Sequence, residues 1–309
     1  MNDKVTLPVD AAAASAAGYD PSQTFKSGDG ADTITGGTLD DHISGGDGAD
    51  TVTGGAGNDT LGGDGNSDTL IGGLGNDTLD GGASNDTVSY AAAAGPVIVD
   101  LSLGTATGEG ADTLLNLEHA TGSAFNDTIT GSTLNNTLIG DAGNDTIHGG
   151  LGNDALTGGT GIDQLFGDGG HDSLKWDIGD LIDGGDGFDT LDANLSSADT
   201  IDLRGANFAN LERIQTGSGK DTVTLSLNDV LSDTADNQFV ADLGSSTPDT
   251  LNIDIAGGWS AAAPNGTLGP TGVAAGISVS GMTAYTFTNG LDTVTIFSNA
   301  EVVHAQVIP

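Results

Sequence analysis

The chain has 309 residues, of which 52 are glycine and 4% are aromatic, and its formal net charge at pH 7 is −38. So much glycine with so few aromatic side chains argues against a conventional globular core. The negative charge excludes nucleic acid as a partner and argues against direct membrane insertion, and the absence of cysteine excludes disulfides and thiolate metal sites.

Residues 1–26 contain a short β-like segment, Val5-Thr6-Leu7, and an alanine-rich run from Ala11 to Ala17. We predict that this segment caps the open end of the repeats that follow, since the terminal coil of a solenoid needs protection. The alternative is an arm for assembly with a neighbouring subunit. No stretch of the chain is long and apolar enough to span a bilayer.

An aspartate recurs at every ninth residue through residues 27–89, within one repeated phrase. Most copies open with two glycines, and a single apolar residue follows each aspartate by two positions. Glycine allows a tight six-residue turn, and a three-residue strand then points its one apolar side chain inward. One such residue cannot form a core alone, so two repeats are expected to close an eighteen-residue coil that stacks on the next at roughly 4.8 Å. The aspartates are Asp32, Asp41, Asp50, Asp59, Asp68, Asp77 and Asp86, and the inward residues are Ile34, Ile43, Val52, Leu61, Leu70, Leu79 and Val88.

The stretch Gly45-Gly46-Asp47-Gly48-Ala49-Asp50-Thr51-Val52-Thr53 matches G-G-x-G-x-D-x-U-x, with U large and apolar, at every position. The sequence therefore resembles the RTX family of secreted calcium-binding proteins. The resemblance implies an all-β fold, a parallel β-roll in which turn aspartates and glycine carbonyls hold Ca²⁺ between adjacent coils. Oxygen ligands of this kind suit calcium. On this geometry Asp32, Asp50, Asp68 and Asp86 line one edge of the roll, and Asp41, Asp59 and Asp77 line the other.

The charge of the repeats supports a metal. Residues 27–174 contain 23 Asp and Glu and no Lys or Arg. The alternative is that the aspartates only cap glycine turns. Carboxylates at coil spacing would repel strongly without a counter-ion, so we expect about ten calcium ions to be part of the fold.

The period breaks at Tyr90, and residues 90–121 are predicted to form a β-rich spacer between two blocks of repeats. Val97-Ile98-Val99 reads as a strand, and Gly108-Glu109-Gly110-Ala111-Asp112 is a partial turn motif. Such segments are similar to the spacers that join RTX blocks in large bacterial surface proteins.

The second block, residues 122–192, departs from the motif at its start. Asn136 stands where a carboxylate is expected, so the site that it shares with Asp154 should be weak or empty. The turns around Phe125 and Leu134 lack their glycines, which weakens the first sites of this block. The metal-ligand aspartates here are Asp127, Asp145, Asp154, Asp163, Asp172 and, after an interruption at Trp176, Asp189. Across both blocks the resemblance assigns carbonyl ligands to Gly28, Gly30, Gly46, Gly48, Gly55, Gly57, Gly73, Gly75, Gly150, Gly152, Gly159 and Gly161.

Residues 193–309 are predicted to form a β-rich C-terminal domain, because apolar and polar residues alternate in several short segments. Examples are Thr222-Val223-Thr224-Leu225, Leu251-Asn252-Ile253-Asp254-Ile255 and Thr293-Val294-Thr295-Ile296-Phe297. By resemblance, the residues ending in Val302–Pro309 contain an uncleaved signal for type I secretion.

No motif for a catalytic serine, a zinc protease or a phosphate loop occurs, and the five histidines have no ligand-like spacing, so no enzyme is expected. Three function classes follow, all secreted or at the bacterial cell surface. The first and favoured class is a calcium-dependent structural protein that assembles as a homo-oligomer or polymer into an S-layer, filament or matrix. The second is an adhesin or ligand-binding module for a cell-surface glycan, for which Trp176, Trp259 and Tyr285 are candidates. The third is the export and folding module of a secreted enzyme or toxin.

Overall fold

The computed structural model describes residues 2–7, 20, 23–193, 200–204, 207–216, 221–226, 238–243, 250–254, 260–261, 283–288, 293–298 and 302–306. Within these ranges all regular secondary structure is β-strand, and no helix is long and apolar enough to cross a membrane. The chain divides into two compact units, Met1–Gln164 and Leu165–Pro309. The predicted all-β class is confirmed.

The first unit is a series of short strands, most of which end in a glycine-rich turn. They are β1 (Lys4–Thr6), β2 (Phe25–Asp29), β3 (Thr33–Thr35), β4 (His42–Asp47), β5 (Thr51–Ala56), β6 (Thr60–Gly65), β7 (Thr69–Leu74), β8 (Thr78–Ala83), β9 (Thr87–Ser89), β10 (Ile98–Asp100), β11 (Thr105–Thr107), β12 (Ala111–Leu115), β13 (His119–Thr121), β14 (Thr128–Thr130), β15 (Thr137–Ala142), β16 (Thr146–Leu151) and β17 (Ala155–Thr160).

Alternate strands of this unit pair in parallel to form two sheets. One sheet has the order β1-β3-β5-β7-β9-β13-β15-β17, and the other runs β2-β4-β6-β8-β12-β11-β10-β14-β16. Pairing joins residues that are eighteen apart in the sequence, for example Thr33 with Thr51 and Thr51 with Thr69. Two repeats therefore make one coil, and the predicted parallel β-roll is confirmed.

The core of the roll consists of the single apolar residue that each repeat turns inward. Their neighbours in the strands lie on the outer face, as the alternation of side chains along a strand requires. Every predicted inward residue of this unit is at most 2% exposed. They are Ile34, Ile43, Val52, Leu61, Leu70, Leu79, Val88, Ile129, Leu138, Ile147 and Leu156.

Residues 2–7 lie along β3 and make the hydrogen bonds that the preceding coil makes elsewhere in the roll. The Asp3 amide donates to Asp32 Oδ1 at 2.6 Å, and the Thr33 amide donates to the Asp3 carbonyl at 2.9 Å. Val5 pairs with Ile34 in the register that inward residues keep elsewhere. This short strand therefore covers the first edge of its sheet, whereas the run from Ala11 to Ala17 lies outside the described residues.

Both sheets continue through the spacer, residues 90–121. β12 pairs in parallel with β8, and β13 joins β9 to β15. Between them β11 forms antiparallel pairs with β10 and β12, and β10 returns to parallel pairing with β14. The spacer is thus an insertion of antiparallel strands within an unbroken roll.

The second unit is also built from strands. They are β18 (Gln164–Gly170), which starts at the last residue of the first unit, β19 (Ser173–Lys175), β20 (Leu181–Asp183), β21 (Asp186–Gly187), β22 (Thr190–Ala193), β23 (Thr200–Asp202), β24 (Phe208–Ala209), β25 (Arg213–Thr216), β26 (Thr222–Ser226), β27 (Gln238–Asp242), β28 (Thr250–Asp254), β29 (Ser260–Ala261), β30 (Thr283–Thr288), β31 (Thr293–Ser298) and β32 (Val302–Gln306).

Parallel pairing dominates this unit as well. One path is β19-β22-β25-β27-β31, which ends in antiparallel β30 and β29, and a separate sheet has the order β23-β26-β28-β32. The strands predicted after residue 193 are present as β26, β28 and β31. Trp176 is buried and packs near Phe208, with ring centroids 6.0 Å apart. Trp259, the side chain of Tyr285 and the last three residues of the predicted secretion signal lie outside the described residues.

Candidate metal sites

Each candidate site is a turn of six residues that ends in an aspartate. In Gly72-Gly73-Leu74-Gly75-Asn76-Asp77 we number the residues 1 to 6, so that the aspartate is at position 6. Gly75 at position 4 has a φ of 136°, and a Cβ atom there would lie 1.6 Å from the Gly57 carbonyl oxygen of the preceding coil. Only glycine permits so close a stacking of turns without strain.

The glycines that the family resemblance assigned as carbonyl ligands of calcium share this backbone conformation. All of them have positive φ, at position 2 or position 4 of their turns. They are Gly28, Gly30, Gly46, Gly48, Gly55, Gly57, Gly73, Gly75, Gly150, Gly152, Gly159 and Gly161.

Hydrogen bonds between adjacent coils link the position-6 side chains into two ladders. On one edge the Asp32 amide donates to Asp50 Oδ1, and the Asp50 amide to Asp68 Oδ1, both at 2.7 Å. On the other edge the Asp59 amide donates to Asp77 Oδ1 at 2.8 Å. The structure therefore brings together the aspartates that are eighteen residues apart.

The ladders continue in the second block. The Asp127 amide donates to Asp145 Oδ1 at 2.8 Å, and the Asn136 amide donates to Asp154 Oδ1 at 2.7 Å. In the second unit the Asp172 amide donates to Asp189 Oδ1, also at 2.7 Å. Every predicted ligand aspartate is at most 2% exposed: Asp32, Asp41, Asp50, Asp59, Asp68, Asp77, Asp86, Asp127, Asp145, Asp154, Asp163, Asp172 and Asp189.

The second carboxylate oxygen of many ladder residues is buried without a hydrogen bond from any residue that the structure describes. It lies above the first glycine of its own turn, and a Cβ atom at Gly72 would be 2.3 Å from Asp77 Oδ2. Burying a charged oxygen in this state costs free energy that a bound cation would offset. These atoms include Oδ2 of Asp50, Asp59, Asp68, Asp77, Asp86, Asp145 and Asp189.

The pKa values of the ladder aspartates also favour a bound cation. The pKa of Asp59 is raised to about 6, chiefly by burial and also by the neighbouring carboxylates Asp77 and Asp41, against a backbone hydrogen bond from Asp41 that lowers it. Burial likewise raises the pKa of Asp68, Asp77, Asp145 and Asp189 to about 6. Without a cation these groups hold protons more tightly than free aspartate does, so a cation would relieve an unfavourable charge.

The donor set fits calcium. Among the described residues no group of three or more His, Asp or Glu side chains is arranged to hold a metal ion. An ion in these turns would therefore take a carboxylate oxygen together with backbone carbonyl oxygens, and calcium accepts such mixed oxygen shells in irregular geometry.

Two glutamates extend the ladders, and sequence reasoning did not assign them. The Asp86 amide donates to Glu118 Oε2 at 2.9 Å, and the Asp189 amide donates to Glu212 Oε2 at 2.8 Å. Both glutamates end the tripeptide Asn-Leu-Glu, at residues 116–118 and 210–212. The repeated tripeptide was the available signal, but neither copy keeps the nine-residue period.

Asp112 extends the other ladder in the same way. Its Oδ1 accepts from the Asp77 amide at 3.0 Å, and its Oδ2 accepts from the hydroxyl of buried Tyr90 at 2.7 Å. The partial turn motif at residues 108–112 pointed to this aspartate, whereas nothing in the repeat pattern indicated its tyrosine partner.

The predicted sites at Asp127 and Asn136 differ from those whose Oδ2 is buried without a hydrogen bond. Ser123 donates its amide to Asp127 Oδ2 at 2.5 Å and its hydroxyl to Oδ1 at 2.8 Å. The Ser132 amide donates to Asn136 Oδ1 at 2.6 Å. These turns satisfy their position-6 side chains internally, in keeping with the weaker sites that were predicted there.

Comparison with known families identifies the repeats. Residues 27–61, 62–92, 121–156 and 148–175 match the RTX calcium-binding nonapeptide repeat, in four copies. The predicted resemblance is confirmed for these segments, and RTX repeats bind Ca²⁺ and are typical of extracellular proteins exported by type I secretion. A search of the curated proteins found no match to this chain.

Proposed function

Since RTX calcium-binding repeats form the roll in its N-terminal half, we propose that this protein is an extracellular structural protein that folds on calcium. Copies then assemble into a surface layer, filament or matrix. The observation that carries the proposal is the column of buried aspartate Oδ2 atoms that accept no hydrogen bond from the described residues. A fold that buries such a column needs cations in order to be stable.

The free energy of calcium binding is large enough to decide whether the chain folds. Calcium sites of extracellular modules have dissociation constants of roughly 10⁻⁴ to 10⁻³ M. At roughly millimolar calcium and a dissociation constant of ~10⁻⁴ M, each site adds ~1.4 kcal/mol of stability, and about ten sites add ~14 kcal/mol. That equals the whole stability of an ordinary domain, about 5–15 kcal/mol.

Calcium dependence fits secretion. In the calcium-poor cytosol the self-repelling repeats stay unfolded, which suits passage through a type I exporter, and external calcium then drives folding. The proposed location is therefore the bacterial exterior, and the proposed partners are calcium ions and further copies of the chain.

The repeated coils and the exposed apolar residues of the first unit support a structural role. Its described residues are almost entirely coils and turns of the roll, and Leu74, Leu151 and Ile162 expose about 60% of their surface on the turns. Apolar side chains on the outer edge of a regular array favour lateral contact between copies. The proposed role is non-enzymatic.

Circular dichroism of the metal-free chain tests the folding step. We expect most of the β signal to be lost in EGTA at neutral pH and to appear on addition of calcium. An unchanged β signal in chelator would contradict the proposal.

Negative-stain microscopy with and without calcium tests assembly separately. Sheets or fibres that appear only with the ion support the structural role. Folded monomers at all calcium concentrations would contradict assembly and would leave calcium-dependent folding intact.

A ligand-binding module is the second candidate, and one cavity favours it. The cavity has a volume of about 250 Å³ and lies beside the Asn116-Leu117-Glu118 turn. A glycan array probed in calcium tests this role, with Leu134→Ala as the variant that alters the cavity. Its lining residues are Leu101, Leu114, Asn116, Leu117, Glu118, Ser132, Thr133 and Leu134.

A further inference from the structure

The turns of the roll fall into two classes according to how the position-6 side chain is satisfied. In an open turn the aspartate Oδ2 is buried and accepts no hydrogen bond from the described residues, as at Asp50, Asp59 and Asp145. In a self-closed turn an oxygen of the position-6 side chain accepts a hydrogen bond from within the same six residues. The two classes occupy different places along the chain.

The second block begins with two self-closed turns. In the turn of residues 122–127, the Ser123 hydroxyl donates to Asp127 Oδ1 and accepts from the Phe125 amide at 3.2 Å. Phe125 occupies position 4, where open turns have a residue with positive φ, such as Gly143 with a φ of 134°. Ser123 therefore satisfies the carboxylate that an open turn leaves buried without a hydrogen bond to its Oδ2.

The next turn, residues 131–136, repeats this arrangement. Ser132 donates its amide to Asn136 Oδ1 and accepts from the Leu134 amide at 3.1 Å. The Asn136 amide group donates to the Glu118 carbonyl oxygen at 2.6 Å. A neutral amide that both accepts and donates in this way has no charge for a cation to neutralise.

The first block begins in the same manner. Ser27, at position 1, donates its hydroxyl to Asp32 Oδ2, and the Gly37 amide donates to Asp41 Oδ2 at 2.8 Å.

We infer that the first coil of each block, residues 27–44 and 122–139, is a calcium-independent starter coil, and that Asp32, Asp41, Asp127 and Asn136 are not calcium ligands. The inference rests on the proposed calcium-dependent folding and adds where that process begins. Calcium ligation by side chains then starts at the second coil of each block, at Asp50 and Asp59 and at Asp145.

A physical reason favours this order. An ion held between adjacent coils needs one coil already in place to present its carbonyl oxygens, and a repeat protein folds by propagation from whichever coil forms first. The starter coil of the second block is also fixed by the spacer, because the Val97 amide donates to Asp127 Oδ1 at 2.7 Å. Local hydrogen bonds thus replace the ion where no earlier repeat is available.

Calcium stoichiometry tests the inference. Native mass spectrometry of the full chain should give Asp127→Asn the same number of bound ions as the wild type, whereas Asp145→Asn loses about one. Circular dichroism in saturating calcium confirms that both variants are folded. Equal losses in the two variants would overturn the inference, and a wild type that binds no calcium would overturn the proposed function instead.

A gain-of-site variant gives a second measurement. Ser123→Gly with Phe125→Gly restores the full motif at residues 122–127 and removes the serine that closes the turn. We expect about one additional calcium ion, and an unchanged count would count against the starter coil.

Hydrogen exchange of the wild type covers the case in which the variants fail to fold. Amides of residues 122–136 should already be protected in calcium-free solution, whereas those of residues 140–163 should gain protection only as calcium is raised. Simultaneous protection of the two segments, or the reverse order, overturns the inference.

Discussion

At the scale of single residues, the open turns share one backbone feature, a residue with positive φ at position 4. This residue need not be glycine, because Asn66 and Ser84 adopt φ values of 74° and 96°. Positive φ alone does not leave the carboxylate unsatisfied, since Gly30 has a φ of 122° in the turn where Ser27 donates to Asp32 Oδ2. Phe125 and Leu134 do not have positive φ, and their turns close on themselves. On the proposed function, a small change in the local sequence would switch a turn between binding an ion and satisfying its own side chain.

Substitution at Gly75 tests this dependence. Gly75→Ala should destabilise the calcium-bound fold by about 1–3 kcal/mol or more, because the new Cβ would meet the Gly57 carbonyl at positive φ. Chemical denaturation in calcium measures the loss. Gly95→Ala is the matched control, since no atom lies within 4 Å of its Cβ position, and an equal loss there would contradict the explanation.

The inner ladder makes a second prediction at this scale. Leu70→Ala should cost about 2–5 kcal/mol, because Leu70 is fully buried between Val52 and Val88 of the adjacent coils and a cavity would remain. Leu103→Ala should cost little, since Leu103 is 75% exposed. Denaturation midpoints in calcium compare the two, and similar values would contradict the role of the ladder.

Protons should substitute in part for calcium. The metal-free fold raises the pKa of Asp59, Asp68 and Asp77 from 3.8 to about 6. A raised folded-state pKa gives stability that is fully present below pH ~4 and is lost as pH rises through about 6. Calcium-free protein should therefore gain β signal on acidification from pH 7 to pH 4, measured by circular dichroism. A signal that stays flat or falls over this range contradicts the prediction.

The ladder aspartates could be predicted because one period places them all. Asp3 and Glu118 belong to the same ladder but were not predicted as members, since Asp3 lies 29 residues before its partner Asp32 and Glu118 lies 32 after Asp86. The nine-residue period identifies only residues that keep it. Asp3 joins the ladder by donating its backbone amide to Asp32, and Glu118 joins it by accepting from the Asp86 amide.

At the scale of elements, the Asn-Leu-Glu turns mark the end of a regular run. In both copies the asparagine amide group donates to an aspartate of an earlier strand, Asn116 to Asp80 in β8 at 2.8 Å and Asn210 to Asp183 in β20 at 2.7 Å. The longer glutamate side chain then reaches the amide of the last repeat aspartate. Equivalent contacts in two places show that this turn is a defined element rather than a degenerate repeat.

Substitution of Glu118 measures the contribution of this element. Glu118→Ala leaves the Asp86 amide without its acceptor and should cost about 1–3 kcal/mol. Glu118→Gln keeps a side-chain oxygen and should cost less. Thermal denaturation in calcium ranks the variants, and equal effects of the two substitutions would show that the hydrogen bond is not the cause.

Strand positions in the repeats followed from the sequence, but the pairing of the spacer did not. β12 lies on β8 through contacts between residues about 35 apart, as Leu114 with Leu79, and no local pattern encodes that distance. The antiparallel pairs of β11 with β10 and β12 likewise follow no repeat in the sequence.

At the scale of the whole molecule, the ion requirement should be specific. Magnesium demands octahedral geometry and loses its water reluctantly, so it should not replace calcium in turns lined by carbonyls. Monovalent salt at about 0.5 M screens exposed charges but not buried carboxylates, so it should not replace calcium either. Circular dichroism titrations with each salt test this, and full folding in magnesium or sodium chloride would contradict it.

The pairing of residues eighteen apart has a consequence for how such a chain can change in length. A duplication or loss of two nonapeptides keeps every later strand in its original sheet. The strands of the spacer, residues 90–121, then still pair with strands of the same sheet. A change by one nonapeptide moves all later strands to the opposite sheet and separates the hairpin from its partners. We therefore expect that homologous β-rolls differ in length by whole coils of two nonapeptides.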